Sequence, residues 1–245
     1  MATAPAMPKV LFSPACERNK QPICELLRRW LPQGGRVLEI GSGSGQHAEF
    51  FCQQLSGLDW QPSELGDALA DLSQRINAAQ ASGELASVLK EPLELDVDRP
   101  EQWPSQPYDA VFSANTTHIM AATSVPHLLA GAARVLKPGG LLLLYGPFLD
   151  GGLASSVSNR DFDACLRQRN PARGLRDARQ IERQAASFGL RALADLAMPA
   201  HNRTLILSRD PAQGQSLLTS GGGLKEERRG ADKEGAEEEG LRGGG

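Results

Sequence analysis

Long apolar runs are missing from this chain of 245 residues, in which hydrophobic residues make up 40%. No stretch of 18 consecutive apolar residues occurs, so the sequence predicts no membrane-spanning helix. Residues 1–10 lack the apolar segment of a secretory signal, and no arginine or serine precedes Ser13, unlike the start of a transit peptide. We therefore expect a cytoplasmic protein without a membrane partner.

Cysteine is scarce, and its spacing excludes two classes of site. The four cysteines are Cys16, Cys24, Cys52 and Cys165, and no pair has the Cys-x-x-Cys spacing of a zinc knuckle or a dithiol redox site. The sequence therefore predicts reduced thiols, as in intracellular proteins, and no metal site.

A basic excess is also absent, because 26 lysines and arginines face 29 acidic residues. A general nucleic-acid binder needs a basic excess or a basic stripe, so we do not expect a nucleic-acid partner. The charge does not predict an oligomeric state.

The composition changes at the C-terminal end. Residues 211–245 contain ten of the 26 glycines and no Phe, Trp, Tyr, Ile, Val or Cys. Such a segment buries too little apolar surface to offset the entropy of ordering. We therefore predict a flexible N-terminus over residues 1–12, one domain over residues 13–210 and a disordered charged tail over residues 211–245.

Short apolar segments alternate with amphipathic ones along residues 13–210. The predicted strands are residues 36–40, 58–60, 92–97, 108–114, 141–145, 190–198 and 203–208. The predicted helices begin near Pro22, Gln46, Leu65, Val125, Arg160 and Ala178, the first of them capped by Asn19 or Gln21. Repeated strand–helix units predict an α/β fold with a mostly parallel sheet covered on both faces.

The first strand runs into a glycine loop, Glu-Ile-Gly-Ser-Gly-Ser-Gly at residues 39–45. No lysine follows as in a phosphate loop, and Gln46 stands where a dinucleotide fingerprint has its third glycine. This spacing disfavours a nicotinamide oxidoreductase. With Glu39 two residues before Gly41, the loop resembles motif I of class I S-adenosylmethionine (SAM)-dependent methyltransferases, which implies a Rossmann-like sheet of seven strands with an antiparallel final strand.

Polar residues follow the other predicted strands where that superfamily binds its cofactor. Glu64 would accept hydrogen bonds from the ribose, Asp96 would lie near the adenine, and Asn115 would lie near the transferred methyl group. Helix capping is an alternative role for either carboxylate. The predicted residues that bind SAM, or its product S-adenosylhomocysteine (SAH), are Glu39, Gly41, Ser42, Gly43, Gly45, Glu64, Asp96 and Asn115.

Longer segments resemble one narrower group, the methyltransferase-like protein twenty-six family. They are residues 17–23, 42–47, 60–63, 158–163, 167–171, 174–177 and 198–202. The resemblance covers residues 13–208 and implies a class I methyltransferase fold that binds SAM, but it implies no particular substrate. Glu64 departs from the aspartate usual there, although either carboxylate can hold a ribose.

Residues for catalysis and for substrate binding are harder to select. His118, past the fourth strand, and Tyr145, at the end of the fifth, are the candidate general bases, although a purely structural histidine is a common alternative. Seven arginines fall between Arg160 and Arg183, and guanidinium groups suit carboxylates or phosphates. They predict a small anionic substrate, whereas exposed ion pairs with neighbouring acids are the alternative.

Membership of the family-like motifs selects four candidate substrate-binding residues, which are Arg18, Asn19, Arg169 and Asn170. Residues 113–118 lack the Asn-Pro-Pro-Tyr or Asp-Pro-Pro-Tyr signature, which disfavours methylation of planar amino groups. The sequence thus predicts a methyltransferase acting on a small molecule. A non-catalytic SAM-binding or interaction module of the same fold is the alternative.

Deleting residues 211–245 tests the predicted tail. We expect the melting temperature of the shortened chain to lie within about 2 °C of the full chain, because a segment without a packed core adds little to the free energy of unfolding. Differential scanning calorimetry of the two chains measures this, and a drop of many degrees would show that the tail packs on the domain.

Overall fold

A computed structural model describes residues 12–211 of the chain. The predicted flexible N-terminus and charged tail lie outside the described residues except at Phe12 and Pro211. Among the described residues, no helix is both long and apolar enough to cross a bilayer.

Helices and strands alternate along the first two thirds of the described chain. The helices are α1 Pro14–Trp30, α2 Gln46–Gln54, α3 Gly66–Ser82, α4 Val125–Val135, α5 Val157–Arg169 and α6 Ala178–Ser187. The strands are β1 Arg36–Ile40, β2 Asp59–Glu64, β3 Val88–Leu89, β4 Leu93–Glu94, β5 Tyr108–Ala114, β6 Leu136–Gly146, β7 Phe148–Asp150, β8 Leu153–Ala154, β9 Arg176–Asp177, β10 Leu190–Met198 and β11 Asn202–Arg209. Two short 3₁₀ turns, Pro100–Gln102 and Ala122–Ser124, precede β5 and α4.

The main sheet has the strand order β10-β11-β6-β5-β1-β2-β3, with β4 also paired to β2. Its pairings are parallel except at β11, which runs antiparallel to both β6 and β10. This arrangement confirms the predicted mixed α/β fold with one antiparallel strand at the end of the chain. The carboxyl ends of β1, β2 and β5 therefore meet at one edge of the sheet.

Apolar side chains cover both faces of the central strands. Val37 and Leu143 pack with α1, α2 and α3 on one face, while their neighbours Leu38 and Leu142 pack with α4 and α6 on the other. Strands buried on both faces read as continuous apolar runs, which explains why β5 and β6 were predicted from the sequence.

The predicted third strand and first helix differ most from the structure, and the predicted second and fifth strands, residues 58–60 and 141–145, are longer in the structure as β2 and β6. Of the predicted third strand, residues 92–97, only Leu93–Glu94 forms a strand, β4, because Pro92 offers no N–H to a ladder and the backbone N–H of Asp96 is bonded to the Gln102 side chain. Strand β3 lies before the predicted range and was not predicted. The predicted start of the first helix at Pro22 is also wrong. Helix α1 begins at Pro14, with Ser13 as its N-cap, and carries Pro22 in its interior.

The segment between β6 and α6 contains more regular structure than predicted. Strands β8, β7 and β9 form a small separate sheet, and α5 starts at Val157, three residues before the predicted start. The Ser156 hydroxyl accepts a hydrogen bond from the Asn159 N–H and so caps α5.

Gly131 in α4 provides a test of the packing between this helix and Trp103. A Cβ atom at this position would lie 2.1 Å from the Trp103 ring. We expect Gly131→Ala to lower the free energy of unfolding by about 1–3 kcal/mol through overpacking, although alanine favours an isolated helix by about 1 kcal/mol. Urea denaturation of the two proteins measures the difference.

Ala130→Gly, the reverse exchange at the preceding position of α4, is the control. It changes helix propensity without placing an atom against the ring, and should cost about 1 kcal/mol. A Gly131→Ala protein more stable than the wild type would contradict the packing argument.

Candidate functional site

The glycine loop joins β1 to α2 in a left-handed backbone conformation. Gly41, Gly43 and Gly45 have φ angles of +71°, +55° and +75°, which glycine adopts without strain. A Cβ at Gly41 would lie 2.7 Å from the Thr116 side chain, whereas one at Gly43 would meet nothing within 4 Å. The tip of the loop therefore faces open space.

That space is a cavity of about 590 Å³ at the carboxyl edge of the sheet. Its walls come from the glycine loop, the start of α1, the residues after β2, β4 and β5, and the turn that follows α5. Of the predicted site residues it contains Gly41, Ser42, Gly43, Glu64, Asp96, Asn115 and Asn170. The structure thus brings together most of the predicted cofactor set.

Glu64 joins the end of β2 to the glycine loop. Its Oε2 accepts a hydrogen bond from the Gly43 N–H at 2.7 Å, and its Oε1 accepts one from the Leu65 N–H at 2.9 Å. Leu65, not Glu64, occupies the N-cap position of α3. The carboxylate is thus directed to the loop and the cavity, where further hydroxyl donors can reach it.

Two aspartates form the wall after β4. Asp96 accepts a hydrogen bond from the Asp98 N–H at 2.9 Å. Asp98, which sequence reasoning missed, accepts one from the Ser124 hydroxyl and is bonded to His127 Nδ1, both at 2.7 Å. Burial opposes the shift, but these two bonds lower the pKa of Asp98. The feature of the sequence that could have identified Asp98 is its position, two residues after Asp96 on the same loop.

Glu39 and Gly45 lie behind the loop and do not line the cavity. Glu39 is almost completely buried, and its Oε2 accepts a hydrogen bond from Trp60 Nε1 at 3.0 Å. Burial raises the pKa of Glu39 to about 7. A Cβ at Gly45 would lie 2.8 Å from Leu72 Cδ1, so this glycine lets α3 approach the loop. Both residues thus support the loop from below.

His118 also lies outside the residues that line the cavity, but it borders Asn115, which lines it. A Cβ at Gly146 would lie 3.6 Å from Asn115 Oδ1 and 3.8 Å from His118 Nδ1. Burial, helped by the charge of Arg176, lowers the pKa of His118 to about 4, and Nδ1 has no hydrogen-bond partner within the described chain. Burial thus favours the neutral imidazole, one of whose ring nitrogens can accept a hydrogen bond.

Tyr145 belongs to a polar cluster under α1. Its hydroxyl is hydrogen-bonded to Asn19, whose side chain also lies 2.7 Å from His47 Nε2. Burial raises the pKa of Tyr145 and lowers that of His47 to about 4. Asn19 therefore connects α1 to α2 and β6 and does not line the cavity. His47 also lines the cavity, beside Ser13 and Cys16 at the start of α1.

The arginines that were predicted to bind the substrate do not come together at the cavity. Arg18 and Arg169 are exposed and lie outside the cavity wall. Several others form ion pairs, namely Arg160 with Asp161, Arg167 with Asp163 and Arg179 with Asp150. The alternative of exposed ion pairs therefore holds for these three. Arg173 does line the cavity, and no signal in the sequence separated it from the other arginines.

Over residues 12–211, no group of three or more His, Cys, Asp or Glu side chains is arranged to hold a metal ion.

The sheet order and the glycine loop define a Rossmann-like class I methyltransferase fold. An O-methyltransferase family protein from Burkholderia thailandensis is similar to 80% of this chain, with a TM-score of 0.65 and 19% identity over 57% of its own length. CalO1, a methyltransferase in calicheamicin biosynthesis solved in its SAH-bound form, is similar to 78%, with a TM-score of 0.60 and 16% identity over 54% of its length.

A family model described as "Protein of unknown function (DUF938)" matches residues 10–209, and the chain belongs to this family. The chain is also 30% identical over 128 residues to the S-adenosyl-L-methionine-dependent Diels-Alderase iccD of Talaromyces variabilis, an alignment that covers 49% of this chain and 39% of that protein. The chain thus spans less than two thirds of each of these three relatives. Its narrower resemblance to the methyltransferase-like protein twenty-six family stays a prediction.

The buried carboxyl of Glu39 should make stability depend on pH. Because folding raises its pKa from an ordinary 4.5 to about 7, the folded state binds this proton more tightly than the unfolded state. The contribution of Glu39 to the free energy of unfolding should therefore fall as the pH rises from about 4.5 to about 7. We expect Glu39→Gln, which cannot ionise, to lack this fall.

Urea denaturation of both proteins at half-unit pH steps measures the effect. The comparison matters because His47 and His118, with lowered pKa values, act in the opposite direction over a similar range and are common to both proteins. If the free energies of the two proteins run parallel between pH 4.5 and 7, Glu39 does not carry the buried proton.

Proposed function

We propose that this protein is a SAM-dependent methyltransferase that acts on a small molecule. The observation that carries the proposal is the open, left-handed tip of the glycine loop, Gly43, hydrogen-bonded at 2.7 Å to Glu64 in a cavity of about 590 Å³. The names of three relatives support the same cofactor, because they mention an O-methyltransferase, SAH or dependence on S-adenosyl-L-methionine.

The residues present fit SAM. Gly43 leaves room for a ligand against the loop backbone, and Glu64 can accept hydrogen bonds from a ribose diol. Asp96, on the next loop, can accept from an exocyclic adenine amino group. SAM would supply a methyl group that its sulfonium already activates, so the protein has mainly to orient an acceptor and exclude water.

The acceptor would lie toward the end of β5. Asn115 lines the cavity there, and Nδ1 of the buried His118 has no hydrogen-bond partner within the described chain. An alcohol or ammonium acceptor must lose a proton, and His118 is the residue we assign to that proton, which it would bind weakly because burial lowers its pKa. Tyr145 is less suited to this role because its hydroxyl is bonded to Asn19.

A second candidate is a SAM-binding protein that transfers no methyl group. The Talaromyces relative favours it, since its name couples dependence on SAM to a Diels–Alder reaction, which is a cycloaddition. Neither candidate base lines the cavity, which is also consistent with this function. Incubation of the protein with methyl-labelled SAM and a metabolite extract separates the two, because only a methyltransferase moves the label.

Calorimetric titration with SAM, SAH and NAD tests the cofactor. We expect binding of SAM and SAH but not of NAD. Gly43→Asp should weaken SAH binding at least about tenfold, because the new side chain would occupy the open space at the loop tip and place a charge beside Glu64.

Gly139→Asp is the matched control. Gly139 also has a left-handed φ, of +78°, and open space around it, but it lies in the turn-like first part of β6, at the opposite edge of the sheet. Both variants place a side chain on a left-handed backbone, so a loss of SAH affinity confined to Gly43→Asp reports on the site. Binding of NAD alone, or equal SAH affinity in the two variants, would contradict the proposal.

A further inference from the structure

Arg173 differs from the arginines around it. Arg167 and Arg179 pair with aspartates, and the buried Arg176 donates hydrogen bonds to the carbonyls of Thr117 and Met120. Arg173 is half-buried in the cavity wall, and its guanidinium has no hydrogen-bond or ion-pair partner within residues 12–211. A cation that faces a ligand-sized cavity without a counter-ion is available to an anion.

The backbone around Arg173 is fastened in place. The Arg173 N–H donates to the Asn170 carbonyl at 2.9 Å, and the Asn170 side chain accepts from the Ala172 N–H at 3.0 Å. The Gly174 N–H donates to the His118 carbonyl at 3.1 Å, and the Ala122 N–H donates to the Ala172 carbonyl at 2.9 Å. The turn is therefore bound to the loop that follows β5.

This attachment places the cation in one half of the cavity. Glu64 and Asp96 come from β2 and from the loop after β4, on one side of β1, whereas the loop after β5 lies on the other side. Glu64 and Asp96, which would hold the adenosine, thus come from the opposite side of β1 to Arg173, whereas Asp98 extends from the loop after β4 to Ser124, beyond β5. None of the cavity carboxylates forms an ion pair with Arg173.

We propose that Arg173, with the adjoining Asn170, forms an oxyanion-binding subsite, and that the methyl acceptor carries a carboxylate or a phosphate that this subsite holds. A guanidinium presents parallel N–H donors that match either group and cannot lose its charge. The substrate class rests on the proposed function, whereas the subsite itself is defined by this chain's residues alone.

Binding of small probes tests the subsite. Benzoate, phenyl phosphate and the neutral benzamide are titrated into the wild type and into Arg173→Gln, each with and without saturating SAH. We expect one or both anions to bind the wild type and benzamide not to bind. Arg173→Gln should lose about tenfold or more of the anion affinity, as for loss of a charge-assisted hydrogen bond. The preferred anion shows whether the acceptor carries a carboxylate or a phosphate.

Arg191→Gln is the matched control for the loss of one positive charge. Arg191 is exposed on β10, near its first residue and so at the opposite edge of the sheet, and it should keep the wild-type affinity for the anions. Arg173→Met serves as a second variant should Arg173→Gln not fold, as judged by circular dichroism.

Three outcomes would overturn the subsite. They are equal anion binding by wild type and Arg173→Gln, equal binding of benzamide and benzoate, and a loss of SAH affinity without loss of probe binding. The last would place Arg173 on the cofactor's own carboxylate. Anion binding that depends on Arg173 in a protein that does not bind SAH would support the subsite and would refute only the proposed methyltransferase function.

Discussion

The pairing of β1 with β2 does not stop at the strand ends, and the candidate site depends on its continuation. The Ser42 N–H donates to the Ser63 carbonyl at 2.9 Å, and the Ser63 N–H donates to the Ser42 hydroxyl at 3.1 Å. One residue further, the Gly43 N–H donates to Glu64. These bonds hold a loop in left-handed conformation beside a carboxylate, at the edge where parallel strands end. Behind them, the buried Glu39 carboxyl accepts a hydrogen bond from Trp60 Nε1, which joins β1 to β2 a second time.

The cavity built on this pairing has two differently charged halves. Glu64 of β2 and Asp96 of the loop after β4 line one half, and the cation of Arg173 lies in the other, attached to the loop after β5. The segment between β6 and α6 supplies that attachment, and the buried Arg176 serves as its central donor. The arginines of this segment thus have two kinds of role, since some form structural contacts and one is available to a ligand. Three arginines of the segment and of α6 pair with aspartates, Arg176 donates to backbone carbonyls, and Arg173 faces the cavity.

Periodic apolar patterns accounted for most of the fold. Strands β1, β5 and β11 and helix α4 could be predicted because continuous apolar runs or a helical stripe specify burial on both faces or on one. The bounds of the third strand and of the first helix could not be predicted in this way. Strands β3 and β4 form because they pair with β2, a contact that the local sequence does not specify. Pro22 is a residue type typical of a helix start, but the helix continues through it because Ile23 and Leu27 are buried.

By itself, the sequence determined the glycine loop, its spacing from Glu64 and Asp96, and the alternation that makes a parallel sheet. These features are local, because glycine alone tolerates the left-handed backbone and because strand ends in such a sheet share one edge. Only the tertiary structure decided which polar residues reach the cavity. Glu39, His118 and Tyr145 lie behind its wall, whereas Asp98 and Arg173 lie in it. The physical reason is that burial and counter-ions come from distant segments, and an arginine's partner cannot be read from its neighbours in the chain.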